Sequence, residues 1–455
     1  MDLVLYDSIR DCDDGVCKNY YQQSAGFMRA IDELQKQFVN GTIDVISLQN
    51  YNQRANAECP VGYHILSYDE KRGYKVVNEC NFFASHYIGR YTYGDYNIIV
   101  NPRFGNIFTY LIGYAANIYL PLGESHISFN TQNNSSWLIA LLWKAMLNKA
   151  LTTGQIPKDY EAITRNQRNY RGRLALSKHI RANLCDATRF YCTYKKLSMD
   201  TVINRTIRAT YKVLKDEGAS AVVTEFEAYD KYLDSMGVMS FIQNIRDIDN
   251  INYTRLTAPY KSVMELSKTI LQNFKAEAAN HGSDKRDVSY FIDVAELWEM
   301  YILKLLQNNL SSEYHVSSPN TYTGAKLLDD KIREIRPDIL IEKNGDVVMI
   351  IDAKYKNYFQ FGAVANNGIS REDLYQMSTY LYHYGKEGKR IVGIFTSPVD
   401  SKEQMLHTFS ENKKHQIGLI NLAINEVNSI DTIHQIENEY INKIRQVIKD
   451  MYNTK

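Results

Sequence analysis

The residues best suited to do chemistry lie in one short stretch that opens with Arg336-Pro337-Asp338 and closes with Ile351-Asp352-Ala353-Lys354. Two apolar runs, 339–342 and 347–351, flank Asn344-Gly345. Each run carries an aspartate at its outer end, and Lys354 follows Asp352 by two residues. Alternate residues of a strand share a face, so Asp352 and Lys354 point the same way. Hydrolysis of a phosphodiester needs an activated water and relief of the phosphate's negative charge. Mg²⁺ supplies both and prefers oxygen ligands. Asp338 and Asp352 are the candidate ligands, with the Ala353 carbonyl beside them, and Lys354 would orient or deprotonate the water.

Strand parity sets a condition on this reading. A plain two-residue Asn344-Gly345 turn puts Asp338 opposite Ile351, facing away from Asp352. Joint metal binding needs an odd loop or a bulge near Asp338. The expectation is a three-residue loop, Lys343-Asn344-Gly345, with Gly345 at positive φ.

Two further features enlarge the set. Leu297-Trp298-Glu299 lies on a helix ahead of the strands, where Glu299 would add a carboxylate ligand, with Glu296 as the competing choice. Gln376 and Tyr380 lie on the helix after the lysine strand, four residues apart and so on one face. The ordered set is Glu299, Asp338, Asp352, Lys354, Gln376, Tyr380. It is far more specific than any member, because charged hairpin ends and amphipathic helices are common by themselves.

The elements that position these residues form an α+β multidomain chain in three stretches. Residues 1–130 read as a strand-rich N-terminal region: a helix over 24–39, strands over 74–77, 86–91 and 96–100 with a turn at Gly94-Asp95, and a helix from 107 to 119. Residues 131–285 read as a mostly helical middle region, with helices over 137–151, 201–215, 224–234 and 259–279. Ser135-Ser136 is a candidate cap, and 282–285 the best linker. Residues 286–455 read as an α/β domain: a helix over 288–310, strands over 314–317, 335–342 and 347–353, a helix over 371–384, strands over 390–395 and 416–422, and a helix over 431–451.

Composition bounds the function. The chain has 455 residues, 44% hydrophobic and 23% charged, with net charge +1. It is globular, and the overall balance does not mark a nucleic-acid binder. The charge is uneven: residues 151–220 hold 14 Lys+Arg against 6 Asp+Glu, which suits contact with DNA phosphate or docking on an acidic partner. No apolar run reaches membrane-spanning length and no basic-then-apolar leader opens the chain, so a cytoplasmic protein without membrane contact is expected. The six cysteines, Cys12, Cys17, Cys59, Cys80, Cys185 and Cys192, form no C-x-x-C pair and read as reduced thiols.

The C-terminal third resembles the PD-(D/E)xK nuclease superfamily. More closely, it resembles the McrC-like nuclease subunits of McrBC-type, modification-dependent restriction systems. The likeness rests on Leu297-Trp298-Glu299, Arg336-Pro337-Asp338, Ile351-Asp352-Ala353-Lys354-Tyr355-Lys356 and Asp373-Leu374-Tyr375-Gln376-Met377. Upstream, Asn101-Pro102-Arg103, Arg171-Gly172-Arg173, and Asp200 followed by Asn204-Arg205 resemble further family elements; residues 1–74 match none. The resemblance implies a restriction-endonuclease-like C-terminal domain and Mg²⁺-dependent cleavage of double-stranded DNA carrying 5-methylcytosine-type modification. It also implies a separate AAA+ GTPase motor subunit, McrB-like, on which the N-terminal part docks and whose hydrolysis it stimulates. The chain holds no G-x-x-x-x-G-K-[ST] phosphate loop and no recognisable base-reading module, which fits delegation of both tasks. Two other readings compete: a self-sufficient RecB/Cas4-like nuclease, and a non-catalytic adaptor that activates a partner NTPase.

Overall fold

Segments far apart in the sequence share sheets in this protein. The computed structural model describes residues 2–7, 24–46, 59–66, 79–104, 107–115, 134–279, 289–319, 325–326, 334–355, 369–385, 390–399, 406–408, 415–424 and 430–453. The expected strand at 74–77 and linker at 282–285 lie outside them. The described chain forms two compact units, one from residues 1–131 with 289–455 and the other from 132–288.

The N-terminal part of the first unit runs β1 (Asp2–Tyr6), α1 (Ser24–Val39), β2 (Asp44–Ile46), β3 (Val61–Leu66), β4 (Glu79–Ala84), β5 (Tyr87–Tyr93), β6 (Tyr96–Asn101) and α2 (Ile107–Ala115). Phe27, Ala30, Ile31, Leu34 and Phe38 recur at helical spacing and bury one side of α1 against Leu3, Leu5, Ile98 and Val100 of the sheet. The β5–β6 hairpin turns at Gly94-Asp95, with Gly94 at φ 58°.

The second unit contains α3 (Asn134–Thr153), β7 (Asp159–Gln167), β8 (Arg173–Leu174), α4 (Leu176–Asn183), β9 (Phe190–Ser198), α5 (Val202–Leu214), three shorter helices α6 (Ser220–Val223), α7 (Glu227–Ser235) and α8 (Arg246–Asp249), and α9 (Lys261–Ala279). Its sheet, in the order β7-β9-β8, departs from the mostly helical expectation. No residue of β7 is buried, so its sequence carries no apolar alternation to announce a strand. The family-like elements noted in the sequence have structural work here. Gly172 sits at φ 72°, where an added Cβ would lie 2.5 Å from the Thr193 carbonyl oxygen. Arg205 grips Asp200 through Nε and Nη2 at 2.6 and 2.5 Å, and the buried Asn204 Nδ2 donates to the carbonyls of Pro157 and Met199 at 2.9 and 2.7 Å.

The C-terminal part returns to the first unit with β10 (Tyr290–Asp293), α10 (Val294–Leu310), β11 (His315–Ser317), β12 (Ala325–Lys326), β13 (Glu334–Ile335), β14 (Ile339–Lys343), β15 (Asp346–Ala353), α11 (Arg371–Tyr384), β16 (Val392–Thr396), β17 (Leu406–Thr408), β18 (Gln416–Leu419) and α12 (Ile430–Asn453). The helix expected over 288–310 therefore begins only at Val294. Asp293 caps it, its carboxylate accepting the Glu296 N–H at 3.1 Å, and the apolar run before it is a strand. That strand completes the N-terminal sheet, whose order is β1-β6-β5-β10-β2. The expected division at 130 and 286 thus differs from the structure, because the third stretch supplies an interior strand to the first. A second, mixed sheet has the order β11-β14-β15-β16-β18-β17, with α11 crossing between the parallel strands β15 and β16. Met377 and Leu381 of α11 pack on Leu340, Ile350 and Phe395.

Gly89 of β5 faces Phe291 of β10, and at φ 153° an added Cβ would lie 2.1 Å from the Tyr290 carbonyl oxygen. Gly89→Ala should lower the unfolding free energy by about 2–3 kcal/mol, measured by urea denaturation. An unchanged midpoint would refute the close β5–β10 pairing.

Candidate active site

The hairpin of β14 and β15 decides whether the two aspartates meet. Lys343 pairs with Asp346, so the connection is the two-residue turn Asn344-Gly345, with both residues in the left-handed region at φ 54° and 80°. The expected three-residue loop does not form. The register instead shifts between Ile341 and Glu342: Ile341 pairs with Met349 and Glu342 with Val347, leaving Val348 as the extra residue of a bulge on β15. Beyond the bulge Ile339 pairs with Ile351, and one step further Asp338 comes opposite Asp352. Parity is restored by the bulge, close to the turn and on the lysine strand rather than beside Asp338.

The pair is tightly held. Asp338 Oδ2 accepts the Ala353 N–H at 2.8 Å. Asp352 is 1% exposed. Its Oδ1 lies 3.0 Å from Lys354 Nζ. Burial raises Asp338 well above the usual carboxylate range, and the charges of Glu299 and Asp352 add to the effect. Glu299, on α10, belongs to the same electrostatic group: burial pushes it up to about 8 against the pull of Lys354, with Asp293, Glu296 and Asp352 pushing the same way as burial. Glu299 acts electrostatically on both Lys354 and Asp338, and Glu296 lies near enough to act on Glu299.

Lys354 extends the β15–β16 ladder, its N–H donating to the Thr396 carbonyl at 2.9 Å. Its Nζ donates to Gln376 Oε1 at 3.2 Å and lies 4.0 Å from Asp373 Oδ1. Burial works against the ammonium, but Asp352, Asp338 and Asp373 more than offset it and raise Lys354 above the ordinary lysine range. The side chain is therefore held as a cation and hydrogen-bond donor.

Helix α11 is aimed by its first turn. Ser370 Oγ accepts the Asp373 N–H at 3.1 Å and donates to Asp373 Oδ2 at 2.7 Å, a Ser-x-x-Asp cap. Gln376 and Tyr380 lie one turn apart as expected, with different tasks. Gln376 touches Lys354, whereas the Tyr380 hydroxyl donates to the Arg336 carbonyl at 3.1 Å and steadies the approach to Asp338. Burial, with the charges of Asp338 and Asp352, raises the Tyr380 phenol above its ordinary value. Asp373 was missed as a neighbour of Lys354. The Ser-x-x-Asp spacing signals a helix cap, and nothing local reveals that Oδ1 of the cap faces a lysine from another element.

Asp352 is a buried carboxylate grouped with Asp338 and Glu299, a donor set that fits a hard cation with oxygen ligands. Among the described residues, no group of three or more His, Cys, Asp or Glu side chains already stands at metal-holding distances. Asp338, Asp352 and the Ala353 carbonyl are the residues present that fit, with Glu299 beside them.

Fold and site together define an α+β protein with carboxylates and a lysine gathered where β14 and β15 end. Residues 83–395 match the family described as McrBC 5-methylcytosine restriction system component, and the chain belongs to that family. It is similar to the type IV methyl-directed restriction enzyme EcoKMcrBC of Escherichia coli (strain K12), at 22% identity over 305 residues, which are 64% of this chain and 85% of the relative. Among solved structures, it is similar to a chain from the half-complex of the tetradecameric assembly of Thermococcus gammatolerans McrB AAA+ hexamers with bound McrC. That match covers 98% of this chain and 100% of the other, with 17% identity and a TM-score of 0.53, and shows a shared fold. No helix among the described residues is long and apolar enough to cross a membrane.

The raised carboxyls set a pH dependence. With Glu299 pushed up to about 8 when folded, against 4.5 for the free side chain, the folded state holds more protons than the unfolded state between these values. Stability therefore falls as pH rises through that window. In EDTA, the urea midpoint should decrease from about pH 5 to about pH 8, and Glu299→Gln should flatten the slope. A level wild-type profile would show that Glu299 ionises normally.

Proposed function

We propose that this chain is the DNA-cleaving subunit of a modification-dependent restriction system, a Mg²⁺-dependent endodeoxyribonuclease with a PD-(D/E)xK-type site. One observation carries this reading: beyond the Val348 bulge Asp338 and Asp352 come together, and the buried Asp352 faces Lys354 Nζ at 3.0 Å. Asp338, Asp352 and the Ala353 carbonyl would hold the Mg²⁺, with Glu299 as a further carboxylate. A bound Mg²⁺ would lower the pKa of a water and draw charge from the phosphate.

The remaining work falls to the chain's own groups. Lys354, held charged between Asp352 and Gln376, donates hydrogen bonds to the attacking water or to a phosphate oxygen and offsets developing negative charge. Its raised pKa favours this role over deprotonation of the water. Gln376 fixes the direction of the ammonium, and Tyr380 anchors the backbone that presents Asp338. Burial first, and the neighbouring carboxylates second, raise Asp338 and Glu299, and a cation would relieve both.

We further infer that the partner is a McrB-like AAA+ GTPase ring acting on double-stranded DNA with 5-methylcytosine-type modification. Support comes from the family match and from the neighbouring structure, in which McrC is bound to McrB hexamers. The chain has no nucleotide-binding loop of its own.

A matched cleavage assay tests both parts, using methylated and unmethylated plasmid, Mg²⁺ or EDTA, with and without the motor and GTP. Asp352→Ala and Lys354→Ala should each reduce cutting by about a hundred-fold or more while GTP hydrolysis by the motor remains stimulated. Cutting by the lone chain would favour a self-sufficient nuclease. Full cutting by Asp352→Ala would refute this site.

A further inference from the structure

The residue after the candidate catalytic lysine, Tyr355, is buried in a cluster that reaches back to the first and sixth strands. Asp7 follows β1 and is 0% exposed. Its N–H donates to the Asn101 carbonyl at 3.1 Å, and its Oδ1 accepts the Arg103 N–H at 2.5 Å. The ends of β1 and β6 are thereby tied together. The Arg103 guanidinium lies over the Tyr355 ring at 4.3 Å and over the Phe104 ring at 4.7 Å, and Phe104 meets Tyr355 edge-on at 5.9 Å. From the other side Trp298 of α10 packs 6.5 Å from Tyr355, and its Nε1 donates to the Thr396 carbonyl at 3.3 Å. The Thr396 carbonyl also accepts the Lys354 N–H. Asp7 and Arg103 both act electrostatically on the Tyr355 phenol, which burial raises well above its ordinary value.

Such a cluster is expensive to bury. A desolvated carboxylate, a guanidinium and a phenol in one apolar setting cost several kcal/mol where simple packing would serve. Their placement answers a specific need. Asp352 sits within β15, whereas Lys354 is the first residue beyond it, its N–H still bonded to the Thr396 carbonyl. The side-chain contacts of Tyr355 fix the chain on the far side of that lysine.

We propose that Asp7, Arg103 and Tyr355 form a positioning device by which the N-terminal sheet sets the backbone at Lys354, making that sheet part of the nuclease centre. Asp7 and Arg103 touch neither metal ligand nor substrate in this assignment; they act through Tyr355. The role given to Lys354 rests on the proposed nuclease function, whereas the mechanical link to the N-terminal sheet does not.

The test uses the full chain with its motor partner and three conservative variants: Asp7→Asn, Arg103→Lys and Tyr355→Phe. Tyr355→Phe keeps the ring under the guanidinium and loses only the hydroxyl. Arg103→Lys keeps the charge and loses the planar stack. Each should lower kcat for cleavage about ten-fold or more with KM for DNA unchanged, since a displacement of the lysine of about 1 Å is enough. Asp7→Asn combined with Tyr355→Phe should be no worse than the stronger single change, because both act on one contact. Hydrogen exchange supplies a readout that needs no catalysis: the Lys354 amide should exchange about ten-fold faster in each variant while α12 is unchanged. Additive losses of kcat, or an unaltered Lys354 amide in folded variants, would overturn the proposal. A wild-type chain that never cleaves, with the Lys354 amide still loosened in the variants, would overturn the nuclease reading and leave the mechanical link standing.

Discussion

Three carboxyls and one ammonium share a dry corner where β14 and β15 end, and the rest of the first unit is arranged to keep them there. Asp352 is almost wholly buried. A lone carboxylate in that position costs several kcal/mol. Lys354 offsets part of that cost. The like charges of Asp338 and Glu299 add to it, which is why both hold their protons to higher pH than carboxyls in water. A centre of this kind is a poor device for stability and a good one for capturing a cation. The same repulsion that weakens the metal-free fold becomes ligand strength when a positive charge arrives.

The geometry of the corner comes from modest local features acting together. A type I′ turn at Asn344-Gly345 by itself would send the two aspartates to opposite faces. The single extra residue at Val348 reverses that outcome, and every pair beyond it inherits the change. Ser370 and Asp373 close the first turn of α11, which fixes where Gln376 meets the lysine. Gly393 of β16 leaves room for this helix, since an added Cβ would lie 2.5 Å from Met377 Sδ. The helix can therefore lie close on the sheet that carries Asp352.

The first unit is woven from both ends of the chain. β10 sits between β5 and β2, and the Asp7–Arg103–Tyr355 contacts join the same two regions a second time. Residues 132–288 interrupt this unit in sequence and close into their own, with the Arg205–Asp200 fork and the buried Arg208 bound to Asp230 and Asp234. A boundary drawn by sequence order would cut the first unit in two.

Much of the site was legible in the sequence. Long apolar periodicity marked α1 and α11 to the residue, since a stripe at helical spacing has few other uses. The apolar run ending Asp352-Ala353-Lys354 marked a strand with chemistry at its end. The asymmetry of residue types picked out Asp338, Lys354 and Gln376, which the fold brings together. Other features were not legible. β7 shows no alternation because neither of its faces is buried. Tyr290-Phe291-Ile292 looks like the start of a helix because three apolar residues have no period of their own, and only the gap between β5 and β2 makes them a strand. The Val348 bulge has no residue signature at all. It is selected by the burial of Leu340 with Ile350 on one face of the sheet, a long-range packing requirement. The sequence by itself determined which groups are proposed to carry the chemistry, since that depends on residue type. Tertiary structure decided which face they share, which carboxylate joins them and what steadies the lysine, since those depend on contacts between segments up to several hundred residues apart.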